Sequence, residues 1–153
     1  MTVQVISQKK GWQGKRMTRQ RRLIYENLAA RKDHPDVETL YNEVRPSVPK
    51  LSLQTVYRTI GLFEDLELVR RVAVCKGRIR YDADMRPHSH FLCEVCGLVL
   101  DVESPDGPWL EIACKAGRLG ATRSFELLLK GTCHPCINLS SLHRGDIHGN
   151  ASG

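Results

Sequence analysis

The sequence predicts an α+β fold in two parts: a three-helix unit closed by a β-hairpin, then a smaller α/β unit stapled by cysteines. Three observations predict it. Apolar residues recur at helical spacing in three segments before residue 67, each preceded by a capping residue. Two strand-like runs follow around a Cys75-Lys76-Gly77 turn. Two Cys-x-x-Cys pairs separated by 36 residues then mark the second part. A chain of 153 residues with 41% hydrophobic content can fill two small cores.

Residues 1–16 read as a basic arm (Lys9, Lys10, Lys15, Arg16) with no apolar periodicity. Thr18 can cap a first helix carrying Leu23, Ile24, Leu28 and Ala29, which ends by His34-Pro35 because a residue before proline resists the helical region. Asp36 can cap a second helix with Val37, Leu40, Tyr41 and Val44 on one face, and Pro46-Ser47-Val48-Pro49 breaks it. Ser52 caps a third, Leu53 to Glu67, with Val56, Ile60, Phe63 and Leu66 in helical register. The strand-like runs are Leu68–Val74 and Arg78–Asp82. Helix, helix, turn, helix and hairpin in that order outline a winged helix-turn-helix domain, whose last helix lies in the DNA major groove. In the second part Phe91–Cys93 and Leu98–Val102 read as strands, Pro108–Leu119 as a helix and Arg123–Lys130 as a strand. The expected division is 1–82, a hinge at 83–87, a second domain at 88–137, and a poorly ordered polar tail at 138–153.

Charge follows the same division. Residues 1–80 carry 17 Lys/Arg against 8 Asp/Glu, and residues 81–153 carry 6 against 9. A basic first part suits phosphate neutralisation, whereas an acidic second part repels a phosphate backbone. Ser52, Gln54, Thr55, Tyr57 and Arg58 lie on the first half of the third helix, where a recognition helix meets base edges, and Lys15, Arg16 and Arg19 can reach phosphates or the minor groove. Solvated surface charge is the competing reading for the basic residues. No apolar run approaches the roughly 18 residues a membrane helix needs, and the start lacks a secretory pattern, so no membrane partner and a cytoplasmic location are expected.

Cys93, Cys96, Cys133 and Cys136 form two bidentate thiolate turns that together make a tetrahedral cage, the arrangement of structural Zn2+ with no open position. Disulfides or redox thiols are the alternative, which a cytoplasmic setting opposes. Cys75 and Cys114 read as ordinary free thiols. His88 and His90 fall two residues apart, on one side of an extended segment, with Asp82 upstream and Asp101 downstream. Alone such a pair reads as two surface histidines. Beside two carboxylates it becomes a nitrogen–oxygen site suited to Fe2+ or Mn2+.

The chain resembles the Fur family of metal-responsive repressors over roughly residues 15–137. The matching segments are Thr18-Arg19-Gln20-Arg21, His34-Pro35-Asp36, Thr55-Val56-Tyr57-Arg58-Thr59, Arg80-Tyr81-Asp82, His88 through Gly97, and Gly131 through Cys136. The resemblance implies that His34, Asp82, His88, His90 and Asp101 converge on one regulatory metal, and that Tyr57 contacts a base. Asp101, where iron-uptake regulators usually carry glutamate, resembles the peroxide-sensing PerR branch, which implies His34 and His90 as oxidation targets. Two departures stand out. Ser124 and Phe125 replace histidines of the last strand, and Leu128 replaces a nearby acidic residue, which puts an accessory metal site in doubt. His134 reads as a solvent-facing turn residue.

The resulting expectation is a homodimeric repressor of palindromic operators in double-stranded DNA, with no enzymatic activity and no small-molecule organic substrate. The homodimer interface is expected at Leu110–Leu119 and Ser124–Leu129. An iron-availability regulator is the alternative within the family. A zinc enzyme and a zinc-ribbon scaffold are the rivals outside it. The enzyme reading lacks His-Glu-x-x-His and any base paired to the site, and a scaffold gives His34, Asp82, His88 and His90 no common purpose.

Overall fold

The computed structural model describes residues 16–103, 115, 117, 118, 120 and 126–142. Helix α1 spans Arg19–Ala29, α2 Val37–Val44 and α3 Leu53–Asp65, with a 3-10 turn at Arg45–Ser47. Each α-helix begins where a side-chain oxygen accepts an otherwise orphaned amide. Thr18 takes the Arg21 N–H at 3.3 Å, Asp36 the Thr39 N–H at 2.8 Å and Ser52 the Thr55 N–H at 3.1 Å. All three caps stand where the sequence places them. The far ends differ. Helix α1 stops at Ala29, short of His34-Pro35, and the loop beyond it holds His34 at φ +51. Helix α3 stops at Asp65 because Glu67 takes φ +52. Leu68 N–H then returns to the Phe63 carbonyl and Glu67 N–H to that of Glu64, a Schellman ending built without glycine.

Ile24, Leu28, Leu40, Val56, Ile60 and Phe63 fill the core between these helices, with Tyr25 edge-on to Phe63 at 5.6 Å. Strands β1 (Arg70–Cys75) and β2 (Arg78–Asp82) form an antiparallel hairpin. Lys76 and Gly77, at φ +50 and +77, make the two-residue turn whose twist matches paired strands. An irregularity between Arg71 and Ala73 shifts the register, so that Arg70 rather than Arg71 faces Asp82.

The second sheet has the order β4-β3-β5, with β3 at Ser89–Cys93, β4 at Val99–Val102 and β5 at Leu128–Gly131. Strand β3 is antiparallel to β4 and parallel to β5. Its core is small (Leu92 and Val99) and includes Ala73 from the hairpin. Helix α4, His134–Leu142, follows.

Two expectations for the second part are corrected. The tail does not begin at Asn138, because the second cysteine turn opens α4, with Ile137 N–H on the Cys133 carbonyl. Glu126 and Leu127 lie outside the last strand, which starts at Leu128. Lys15 with residues 1–15, nearly all of the helix at 108–119, Cys114, residues 123–125 and the tail from 143 lie outside the described residues. Among the described residues no helix is long and apolar enough to cross a membrane.

Candidate metal centres

The structure gathers two donor clusters, one soft and one hard. In the first, β3 ends at Cys93, and Gly97 N–H bonds the Cys93 carbonyl while Cys93 N–H bonds that of Leu98, both at 2.8 Å. That tight turn needs Gly97, which sits at φ +79 with Cys75 Sγ 2.7 Å from where a Cβ would stand. The parallel pairing of Cys93 with Gly131 brings the second cysteine turn alongside. One sulfur from each of Cys93, Cys96, Cys133 and Cys136 then falls within 4.8 Å of the others. The Cys96–Cys133 sulfur separation is 3.7 Å. Zinc–sulfur arms of about 2.3 Å at tetrahedral angles give an edge of about 3.8 Å, so the residues fit that ion. Amides of Cys96 and Cys133 hold the Cys93 thiol down at about 6, while the Cys133 thiol and burial push Cys136 up to about 12. Such opposed directions belong to crowded thiols competing for charge, and a shared divalent cation satisfies all four as thiolates. His134 is exposed and stands outside the cluster.

The second cluster takes donors from both parts of the chain. Tyr81 N–H bonds the Pro35 carbonyl, which fastens the α1–α2 loop to β2 and brings His34 to Asp82. His90 on β3 pairs directly with Asp101 on β4, and His88 enters from the segment before β3. Donor atoms of His34, Asp82, His88 and His90 lie within 4.8 Å of one another. Asp101 adjoins them, with Oδ1 at 2.8, 3.3 and 3.8 Å from Nε2 of His34, His88 and His90. Its other oxygen is 3.3 Å from Lys32 Nζ. Asp82 Oδ2 is 3.2 Å from His88 Nε2 and 3.6 Å from His90 Nε2.

His34, Asp82 and His90 are only 4%, 7% and 6% exposed. His90 Nε2 and His34 Nδ1 are nevertheless buried without a hydrogen bond. An unsatisfied buried polar atom costs about 1–3 kcal/mol. The His90 nitrogen faces two carboxylates and two further imidazoles, a donor set that fits a divalent cation. Burial lowers the His34 pKa against the raising pull of Asp82 and Asp101. At Asp82 burial acts upward, but the His90 imidazole, the Asp84 amide and the Arg70 guanidinium outweigh it, and the net direction is down. Neutral imidazoles beside carboxylates are the ligating forms.

Sequence reasoning passed over Arg70 and Lys32. Arg70 donates from Nε and Nη2 to Asp82 Oδ2 at 3.2 and 3.1 Å, and its Nη2 is 3.1 Å from His88 Nε2. Its signal is masked by the bulge, since an unbroken hairpin register counted back from the Lys76-Gly77 turn sets Arg71 opposite Asp82.

On α3, Gln54, Tyr57 (52% exposed) and Arg58 project outward. Ser52 is exposed beside them and Thr55 half-buried, with their hydroxyls 2.8 Å apart and Ser52 capping the helix. Arg16 and Arg19 are exposed at the start of α1.

Comparison with known proteins accords with this arrangement. Residues 12–114 match the ferric uptake regulator family. The chain is 38% identical over 116 residues to the ferric uptake regulation protein of Rhizobium leguminosarum bv. viciae, covering 75% of this chain and 78% of that one. It is 30% identical over 92 residues to the peroxide-responsive repressor PerR of Staphylococcus aureus, spanning 60% of this chain and 62% of that protein. A solved zinc-bound manganese uptake regulator shares the fold at TM-score 0.61 and 36% identity, over 78% of this chain and 92% of that one. A Campylobacter jejuni peroxide stress regulator does so at TM-score 0.66 and 25% identity, over 76% and 88%. The family match ends before Cys133, so the second cysteine pair rests on geometry. A zinc enzyme and a zinc-ribbon scaffold both give way to a regulator: the chain belongs to the ferric uptake regulator family.

Proposed function

We propose that this chain is a homodimeric, metal-dependent repressor that acts in the cytoplasm on palindromic operators in double-stranded DNA. Structural zinc sits at Cys93, Cys96, Cys133 and Cys136, and a regulatory Fe2+ or Mn2+ at His34, Asp82, His88, His90 and Asp101. One observation carries the reading: His34, from the loop between the first two helices, meets Asp82 of β2, His88, and His90 of β3 in a single cluster, with Asp101 of β4 2.8 Å from His34 at its exposed edge. A cation bound there ties the reader, residues 1–82, to the second domain. Metal and DNA then favour the same closed arrangement, which is a coupling free energy between two sites. Residues 83–87 serve as the hinge, shaped by Asp84 N–H on Asp82 Oδ1 and Arg86 N–H on Asp84 Oδ1. Gln54, Tyr57 and Arg58 read the major groove, and Arg16 and Arg19 take phosphates. Exposed Leu100 and Leu129 on the second sheet support dimerisation through that domain.

Asp101 supports peroxide sensing as the signal. Bound Fe2+ would supply one-electron activation of peroxide, and the net change is one oxygen gained by an imidazole as the other leaves in water. His34 and His90, with ring centroids 4.9 Å apart in the cluster, are the proposed oxidation targets. Mass measurement of anaerobically Fe2+-loaded protein before and after a small dose of peroxide tests this. One added oxygen on the His34 or His90 peptide, absent with Mn2+, is expected. The 38% identity to a ferric uptake regulation protein favours a second reading, sensing of metal availability. Intact Fe2+-dependent operator binding without oxidation would establish it instead.

A further inference from the structure

Arg70 stands among the donors of the His/Asp cluster although its side chain can only donate hydrogen bonds. It is held there from three sides. The hairpin register pairs it with Asp82, its Nε and Nη2 both reach Asp82 Oδ2, and Nη2 lies 3.4 Å from the Arg86 carbonyl. Its side chain is 15% exposed. Its Nη2 also lies 2.9 Å from His88 Nδ1 and 3.1 Å from Nε2, near-equal distances that set it over the imidazole face. Asp82 Oδ2 and His88 Nε2 are 3.2 Å apart, the spacing of neighbouring ligands on arms of about 2.1 Å. An ion held by Asp82 and His88 would therefore share Asp82 Oδ2 with the Arg70 guanidinium at close range.

We infer that Arg70 is a built-in competitor for the regulatory ion, a positioning residue that sets the metal concentration at which the His/Asp site fills. The inference rests on the reading of that cluster as a metal site. The guanidinium brings a full positive charge to the edge of the donor set. It neutralises Asp82 before an ion arrives and repels the ion once it is bound. Both effects act in one direction: Arg70 weakens metal binding. Removing it leaves Asp82 short of its cationic partner, a loss the ion makes good, and it removes a like charge within a few ångströms.

The test is an equilibrium titration with Co2+, followed by its visible absorption, on full-length chain that retains its zinc. Wild type, Arg70→Gln, Arg70→Lys and His90→Ala are compared. Arg70→Gln is expected to bind Co2+ about tenfold tighter or more. Lysine keeps the charge but cannot set two N–H donors on Asp82 Oδ2 as Arg70 does, so Arg70→Lys is expected between Arg70→Gln and wild type. A merely structural arginine would leave affinity unchanged or lower it, so only a gain supports the inference. Zinc content and thermal unfolding confirm the fold, and if the glutamine variant fails that check the lysine variant must still bind tighter than wild type. Affinity equal to or below wild type in the folded variant overturns the inference, with the metal site left standing if His90→Ala loses Co2+. Should His90→Ala bind as wild type does, the site reading falls and the inference falls with it.

Discussion

Asp36 shows how one side chain positions a distant site. One oxygen caps α2 through the Thr39 amide, and the other takes Arg78 Nη1 at 3.1 Å. The residue before it, Pro35, is tied to β2 by Tyr81. Together these fix the loop that carries His34 in a left-handed conformation few residues adopt. Asp36→Ala is expected to cost about 1–2 kcal/mol, mostly the cap, since Arg78, the partner of the other oxygen, is 56% exposed and its pairing is screened by solvent. Urea denaturation measures that cost. At Asp36 burial acts upward, but the Thr39 amide and hydroxyl and the Arg78 guanidinium win, and its pKa lies below the ordinary carboxylate value. Its stabilisation is therefore complete at neutral pH and is lost as pH falls below that ordinary value and through the depressed one. Asp36→Asn is expected to flatten this acid limb. His90→Ala is expected to abolish uptake of the exchangeable ion while zinc stays bound, as metal analysis after dialysis will read. His88 and His90 were legible as a pair because strand periodicity puts them on one side. Arg70 was not, because a bulge turns it toward Asp82 in place of Arg71.

At the level of elements, the local signals were the readable ones. Thr18, Asp36 and Ser52 announce their helices, and Lys76-Gly77 announces the hairpin. The end of α3 was hidden because Glu67, not glycine, takes the left-handed position. The parallel partner of β3 was hidden because nothing near Leu128 records a pairing 38 residues away in sequence. The zinc turn combines both kinds of information. Gly97→Ala is expected to destabilise the second part by about 1–3 kcal/mol, from its positive φ and from the clash with Cys75 Sγ. Adding Cys75→Ala should recover the steric share and leave the backbone share, a result thermal unfolding of the double variant will show. Cys96→Ser is expected to lose zinc and the dimer together, which metal analysis and sedimentation read side by side. A zinc-free dimer would separate the two.

Across the whole molecule, the hairpin is shared. Ile79 and Tyr81 pack on the helical core, while Ala73 joins Leu92 and Val99 in the second one. That second contact is small, so apolar packing alone holds the two parts together weakly. The His/Asp cluster lies at the same junction and contains ligands from each side. Coupling of about 1–3 kcal/mol between sites corresponds to roughly 5- to 150-fold in affinity. The most direct test is fluorescence anisotropy on a duplex selected from a random pool by the Mn2+-loaded protein. Wild type and His34→Ala, both holding zinc, are titrated with and without Mn2+. Mn2+ is expected to tighten wild-type binding about tenfold or more and to leave His34→Ala unmoved. Binding that ignores the metal in wild type, or a full metal response in His34→Ala, would contradict a switch that works by joining the two halves.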